Sequence, residues 1–182
     1  MASEQDLQLW DITGLDGLQV ARALFGQAIG QLAVFQSMET VLNGQACSVL
    51  RLCDRNFRIV YPGNINKVAL SKIARPNALP VGVQIQQYAW LKRVVLPIEF
   101  LSPLTERLTV RAPHRVKNLP NHQAAPAQLD DIAILIWQHP IKEKPVVELH
   151  VAANRRDNLI AIVSSKEGNR SLTGQTATGQ RL

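Results

Sequence analysis

The stretch Leu32–Tyr61, LAVFQSMETVLNGQACSVLRLCDRNFRIVY, decides the fold class. Asn43-Gly44 stands between two runs rich in apolar and β-branched residues. It is a strong hairpin signal, because both central turn positions need a positive φ that Asn and Gly tolerate. Strands are expected near 32–42, 45–53 and 56–61. The tip Cys53-Asp54-Arg55-Asn56 joins the last two, and Pro62-Gly63-Asn64 ends the third. With Leu52 opposite Phe57, Leu50 falls opposite Ile59 on one face and Arg51 opposite Arg58 on the other. Like charges directly opposite cost up to about 1 kcal/mol. Such a pair requires an acidic neighbour (Asp54, Glu39 or Glu99) or an anion, with Arg55 as the third member of the anion site.

Upstream, Leu18, Ala21, Leu24, Phe25, Ala28, Ile29 and Leu32 recur at helical spacing. Asp16 is the expected N-cap, Gln19 closes a capping box, and Leu15 with Val20 has the spacing of a hydrophobic staple. Ser3 and Asp6 suggest a shorter helical turn carrying Leu7, Leu9 and Trp10, separated from the main helix by Gly14 and Gly17. Downstream, residues 65–75 read as a short amphipathic helix stopped by Arg75-Pro76. Val81, Val83 and Ile85 alternate with polar residues as in a half-exposed strand, and Leu91 to Phe100 reads as another, held to an edge by Pro97. The stretch 113–128, with three prolines and two histidines, reads as a surface loop. Ile132 to Trp137 reads as a buried strand. A last hairpin is expected from Val146–Ala152 and Asn158–Ser164 across Asn154-Arg155-Arg156-Asp157.

These elements specify an α+β fold, an N-terminal amphipathic helix packed on a mostly antiparallel sheet of about six to eight strands that can curl into a partly open barrel. Residues 1–167 form one globular domain. The tail 168–182, made largely of Gly, Ser, Thr, Gln and Arg, is expected to be disordered.

The chemistry that the sequence excludes is clearer than the chemistry it offers. It contains neither GxGxxG nor GxxxxGK[ST], so the common phosphate-cradling loops are absent. His114, His122, His139 and His150 lack metal-ligand spacing, and Cys47 and Cys53 make no CxxC. No metal site and no cofactor are expected, and the cysteines read as reduced packing residues. The longest apolar runs fall far short of the roughly 20 residues that cross a bilayer. The first residues lack a basic leader and an apolar core, so a cytoplasmic protein without a membrane partner is expected.

With 20 Lys+Arg against 14 Asp+Glu, the net charge of +6 favours anionic partners. The arginine-tipped turns give that charge a location. Arg51, Arg55, Arg58, Arg155 and Arg156 are the expected anion-binding residues, and the leading reading is non-catalytic binding of an anionic macromolecule, most simply nucleic acid contacted through its backbone. Tyr61, Tyr88 and Trp90 offer stacking surfaces for single strands. The alternative is a small regulatory or inhibitory protein that docks onto another protein, which would leave an exposed apolar patch; the partners in view are nucleic acid or an acidic protein surface. The third reading is a metal-dependent nuclease or other hydrolase, using the strand-entrance carboxylates Asp130 and Asp131 or the pair Glu148 and His150, which share a strand face.

Overall fold

The computed structural model describes residues 7–66, 69 and 82–165. The expected tail and most of the helix expected at 65–75 lie outside the described residues. Ten strands form two antiparallel five-stranded sheets. The first has the order β2(Ser37–Leu42), β3(Gln45–Cys53), β4(Asn56–Tyr61), β1(Gln8–Gly14), β5(Val83–Gln87). The second has the order β6(Leu91–Pro97), β10(Lys144–Ala152), β9(Ile132–Ile141), β8(Gln123–Leu129), β7(Leu108–Thr109). The sheets face each other and do not close into a barrel.

The Asn43-Gly44 turn forms as expected, with φ of 50° and 73° and Leu42 paired to Gln45. β3 and β4 occupy the expected ranges, but their register corrects the expected arginine pair. A bulge between Arg51 and Cys53 places Arg51 opposite Phe57 and Leu50 opposite Arg58. Opposed residues share a face, so Arg51 lies with Val49 and Ile59, and Arg58 lies on the other face with Leu50 and Val60. One extra residue in the strand has undone the like-charge pair.

The helix is not the N-terminal element. Residues expected to form a helical turn, Leu9 and Trp10, belong instead to the central strand β1, which pairs with both β4 and β5. Both faces of β1 are buried, Trp10 and Ile12 on one side and Leu9 and Asp11 on the other. α1(Gly17–Phe25) follows it. Asp16 does precede the helix, but its side chain makes no capping bond; the backbone N–H of Val20 donates to its carbonyl at 3.1 Å. Val20, Ala21, Leu24 and Phe25, with Ile29 of the following 3-10 turn, cover Trp10, Ile12, Val49, Phe57 and Ile59. Fully burying each such large side chain contributes about 1.5–3 kcal/mol.

Two close approaches fix this layer. Gly14 has φ +123° and its α-carbon faces the Gly82 carbonyl, and Gly17 lies against the carbonyl of Arg55 at the β3–β4 tip. A methyl group on Gly17 would collide with that oxygen. Gly17→Ala is expected to lower stability by about 1–3 kcal/mol through overpacking, although alanine is the better helix former. Thermal unfolding measures this, and an unchanged or raised melting temperature would contradict it.

The second sheet departs further from expectation. β9 continues past Trp137 to Ile141 and turns through Lys142-Glu143, both at positive φ, into β10. The expected partner strand 158–164 is instead helical: after a 3-10 turn, α3(Arg156–Ser164) packs Leu159 and Val163, four residues apart, on the sheet. The second arginine tip is therefore a strand-to-helix junction. Pro97 does end an edge strand, but residues 98–105 turn into a 3-10 segment and α2(Leu101–Thr105). Within the expected loop 113–128, β8 begins at Gln123 and buries Ala124 and Ala125, and it runs on to the buried Leu129. Ala124 donates its N–H to Phe35 rather than to β9, and strand alternation puts the donorless nitrogen of Pro126 on that same side.

Candidate functional site

The outer faces of the two sheets pack under helices, whereas the layer between them mixes apolar side chains with buried charged and histidine side chains. Leu9, Leu50, Val60, Ala124 and Trp137 supply its apolar part. Cross-strand register supplies the rest: Asp11 opposite Arg58, Glu39 opposite Ser48, Glu148 opposite Trp137, and His150 opposite both Leu135 and Arg93.

Arg58 grips Asp11 with two bonds, Nε to Oδ1 and Nη2 to Oδ2, each 2.8 Å. Its remaining nitrogen lies 3.3 Å from Nδ1 of His150 in the other sheet. A guanidinium only donates, so Nδ1 of His150 accepts and Nε2–H donates to Glu148 Oε1 at 2.7 Å. Arg93 donates to both oxygens of Glu148, at 3.0 and 2.6 Å. His139 Nε2 meets Glu148 Oε2 at 3.4 Å, and its Nδ1 lies 3.4 Å from Oε1 of Glu39, whose other oxygen accepts from Ser48 at 2.5 Å. Trp137 stacks on His139 at 3.8 Å and donates its indole N–H to Ser37 at 2.9 Å.

The protonation states follow from these neighbours. Burial disfavours the His139 imidazolium, but the carboxylates of Glu148 and Glu39 outweigh it and hold its pKa above the ordinary value. Burial would likewise raise Glu148, yet the two histidines and Arg93 hold it well below the carboxylate range. For His150, burial and the positive charges of Arg58 and Arg93 prevail over Glu148, and its pKa is lowered. The raised pKa favours the charged form of His139 and the lowered one the neutral form of His150, while Arg58 and Arg93 face the carboxylates of Asp11 and Glu148. Pairing of opposite charges is the condition under which buried charge is tolerable.

The pH dependence has a definite sign. Because His139 has a raised pKa in the folded state, its contribution is fully present below the unfolded value of about 6.5 and is lost as pH rises through the folded value. His150, lowered, contributes the opposite slope: its stability is present above about 6.5 and lost as pH falls. Comparing His139→Gln with the native protein by urea unfolding between about pH 5 and 9 should therefore show the largest destabilisation on the acid side. A difference that grows with pH would refute the charged assignment.

The expected pairing of Glu148 with His150 exists, but both side chains are buried and mutually bonded. Of the charged members of the layer, Glu39 has the greatest exposure, 34% of its side chain, and it borders a cleft of about 430 Å³ between the Asn43-Gly44 turn and Ile141–Lys142. Neither side chain is exposed in this packing, and the contacts of Arg58 with His150 and of His139 with Glu39 run from one sheet to the other.

The arginines expected to take an anion are distributed differently. Arg51 donates to the carbonyls of Leu32 and Gly30 at 2.6 and 3.4 Å and to Asp54 at 2.9 Å, tying the 3-10 turn to the sheet. Arg58 lies in the charged layer. Arg155 pairs with Asp131 and Arg156 with Asp157, while Asp130 holds Arg107 at 2.7 Å. Arg55 is exposed at its tip. The carboxylates considered for a metal are thus engaged by arginines, and no cluster of metal-ligating side chains occurs among the described residues. No helix among the described residues is long and apolar enough to cross a membrane. His139, Arg93 and Asp11 escaped sequence reasoning; the available signal was a polar residue interrupting an otherwise apolar strand.

No protein-family model and no curated protein matches the chain. Solved structures establish the fold. Glycine cleavage system aminomethyltransferase T from Bartonella henselae superposes with a TM-score of 0.61 at 15% identity, over 87% of this chain and 43% of that one. The chain thus spans less than half the length of the aminomethyltransferase. A chain of heterotetrameric sarcosine oxidase from Corynebacterium sp. U-96 superposes with a TM-score of 0.61 at 13% identity, over 94% of this chain and 84% of that one. The fold is one that occurs both as part of a longer aminomethyltransferase and as most of one chain in a heterotetrameric oxidase.

Proposed function

We propose that this protein is a non-catalytic subunit of a multi-chain oxidase of the heterotetrameric sarcosine oxidase kind. The observation that carries the reading is the extent of the likeness, which takes in nearly all of this chain and most of a chain of that heterotetramer, against less than half of the aminomethyltransferase. Three features support it. The acid and base groups between the sheets are bonded to one another, and four of the five arginines expected to hold an anion are paired with carboxylates of the protein itself. The exposed ring of Trp90, 58% accessible and 5.4 Å from Tyr88, supplies an aromatic surface of the type enriched in subunit interfaces.

The test is mild purification of the tagged protein from its native cells, followed by mass measurement and assay of sarcosine-dependent oxygen uptake. A hetero-oligomer of fixed stoichiometry with that activity is expected. A lone 20.2 kDa species, or one whose affinity for DNA or RNA falls steeply with salt, would overturn the reading. Trp90→Ala is expected to leave the fold intact and to weaken assembly by about 2 kcal/mol or more if the ring is an interface anchor. Unchanged assembly would remove Trp90 from the interface.

A further inference from the structure

We infer that the cleft between Val34-Phe35 and the loop after β7 docks an acidic, extended segment of a partner protein carrying an apolar side chain. The loop between β7 and β8 is anchored at several points. Val116 and Leu119 are buried in the core of the second sheet, and His114 meets the Phe35 ring edge-on at 5.0 Å. Its end is stitched to the first sheet, since Ser37 donates to His122 and Ala124 to Phe35, each at 2.8 Å. Anchors at 116 and 119 leave the intervening and flanking residues facing water, and Arg115 and Lys117 are both exposed.

The cleft that results has a volume of about 640 Å³, with apolar walls that include Val34, Phe35, Leu119 and Pro120. Arg115 and Lys117 line it, and no aspartate or glutamate does. Six other arginines, Arg51, Arg58, Arg93, Arg107, Arg155 and Arg156, each hold a carboxylate. Among the described residues Arg115 and Lys117 have no such partner, and neither do Arg22, Arg55 and Arg111. What distinguishes Arg115 and Lys117 is that their charge is presented beside an apolar wall, where Val34 is 48% exposed.

That combination selects the occupant. A nucleic-acid backbone reaches useful affinity through a track of phosphate contacts, about 6–10 in a salt-sensitive binder, whereas two cations flanking an apolar cleft suit a short segment with one or two carboxylates and a buried side chain. The reading does not depend on the oxidase assignment, because it is measured on the isolated chain.

The probe is a blocked hexapeptide, acetyl-Glu-Glu-Leu-Phe-Glu-Glu-amide, titrated into the isotope-labelled protein at low salt and followed by amide chemical shifts. Shifts confined to Phe35, residues 114–119 and 123–125 are expected. Binding should weaken by about tenfold or more, the scale of losing charge-assisted contacts, for the Gln-for-Glu peptide and for the Arg115→Glu, Lys117→Glu double variant. Val34→Glu, which leaves both cations in place, should weaken it as well. Circular dichroism checks that each variant keeps its fold. No binding at low salt, equal binding by the double variant, or displacement of the peptide by a single-stranded RNA or duplex DNA oligonucleotide of equal charge would overturn the inference.

Discussion

Glu148→Gln is expected to remove about 3–5 kcal/mol of folding stability, the cost of stripping one partner from a buried charge network. The carboxylate receives two bonds from Arg93, one from His150 and a longer one from His139. An amide of the same size retains one acceptor oxygen and replaces the other with an NH2 group. Whichever way it turns, N–H groups of Arg93 and of one histidine then face a donor. The charge is lost too, and with it the anion that faces both Arg93 and His139. Typical domains have about 5–15 kcal/mol to lose, so urea unfolding near neutral pH should show a large fall in midpoint with little change in slope. A loss below about 1 kcal/mol would mean that water or a conformational shift relieves the site.

How much of this was legible in the sequence depended on whether a local signal matched the surroundings. β3 and β4 were found at their true ends because a turn-forming dipeptide and apolar strands agreed. The bulge at Leu52 left no mark in the residue types, and it alone moved Arg51 and Arg58 to opposite faces. β1 carries no strand signal because a central strand buried on both faces has no alternation: Leu9, Trp10, Asp11 and Ile12 are all inside. Over α3 the sequence predicts a strand, because Leu159-Ile160-Ala161-Ile162-Val163 is rich in β-branched residues. Burial of Leu159 and Val163 on the sheet overrode that preference. The Lys142-Glu143 turn takes positive φ without Asn or Gly, so nothing announced that β9 would fold back onto β10. With that hairpin hidden, His139 and Glu148 could not be brought together, although Glu148 and His150 could, since they stand two apart on one strand.

The second large effect concerns Asp11 and Arg58, and it distinguishes an ion pair that merely exists from one that the layer requires. Arg58→Met should cost about 3–5 kcal/mol, because Asp11 is left as a buried carboxylate without its bidentate partner, and His150 loses the donor to Nδ1. Asp11→Leu should cost a similar amount by stranding the guanidinium, whose side chain is 11% exposed. The double variant behaves differently. It removes one positive and one negative charge together, so Arg93 and His139 still face Glu148, and two apolar side chains enter a layer already shared with Leu9 and Leu50. Its loss should be smaller than the sum of the single losses by about 0.5–3 kcal/mol, the range of coupling for residues in contact. Strict additivity in the double-mutant cycle would show that the two groups act independently and that charge balance does not govern this interior. A double variant as stable as the native protein would show that the pair can be replaced by apolar packing without loss, its cost of desolvation having matched its attraction.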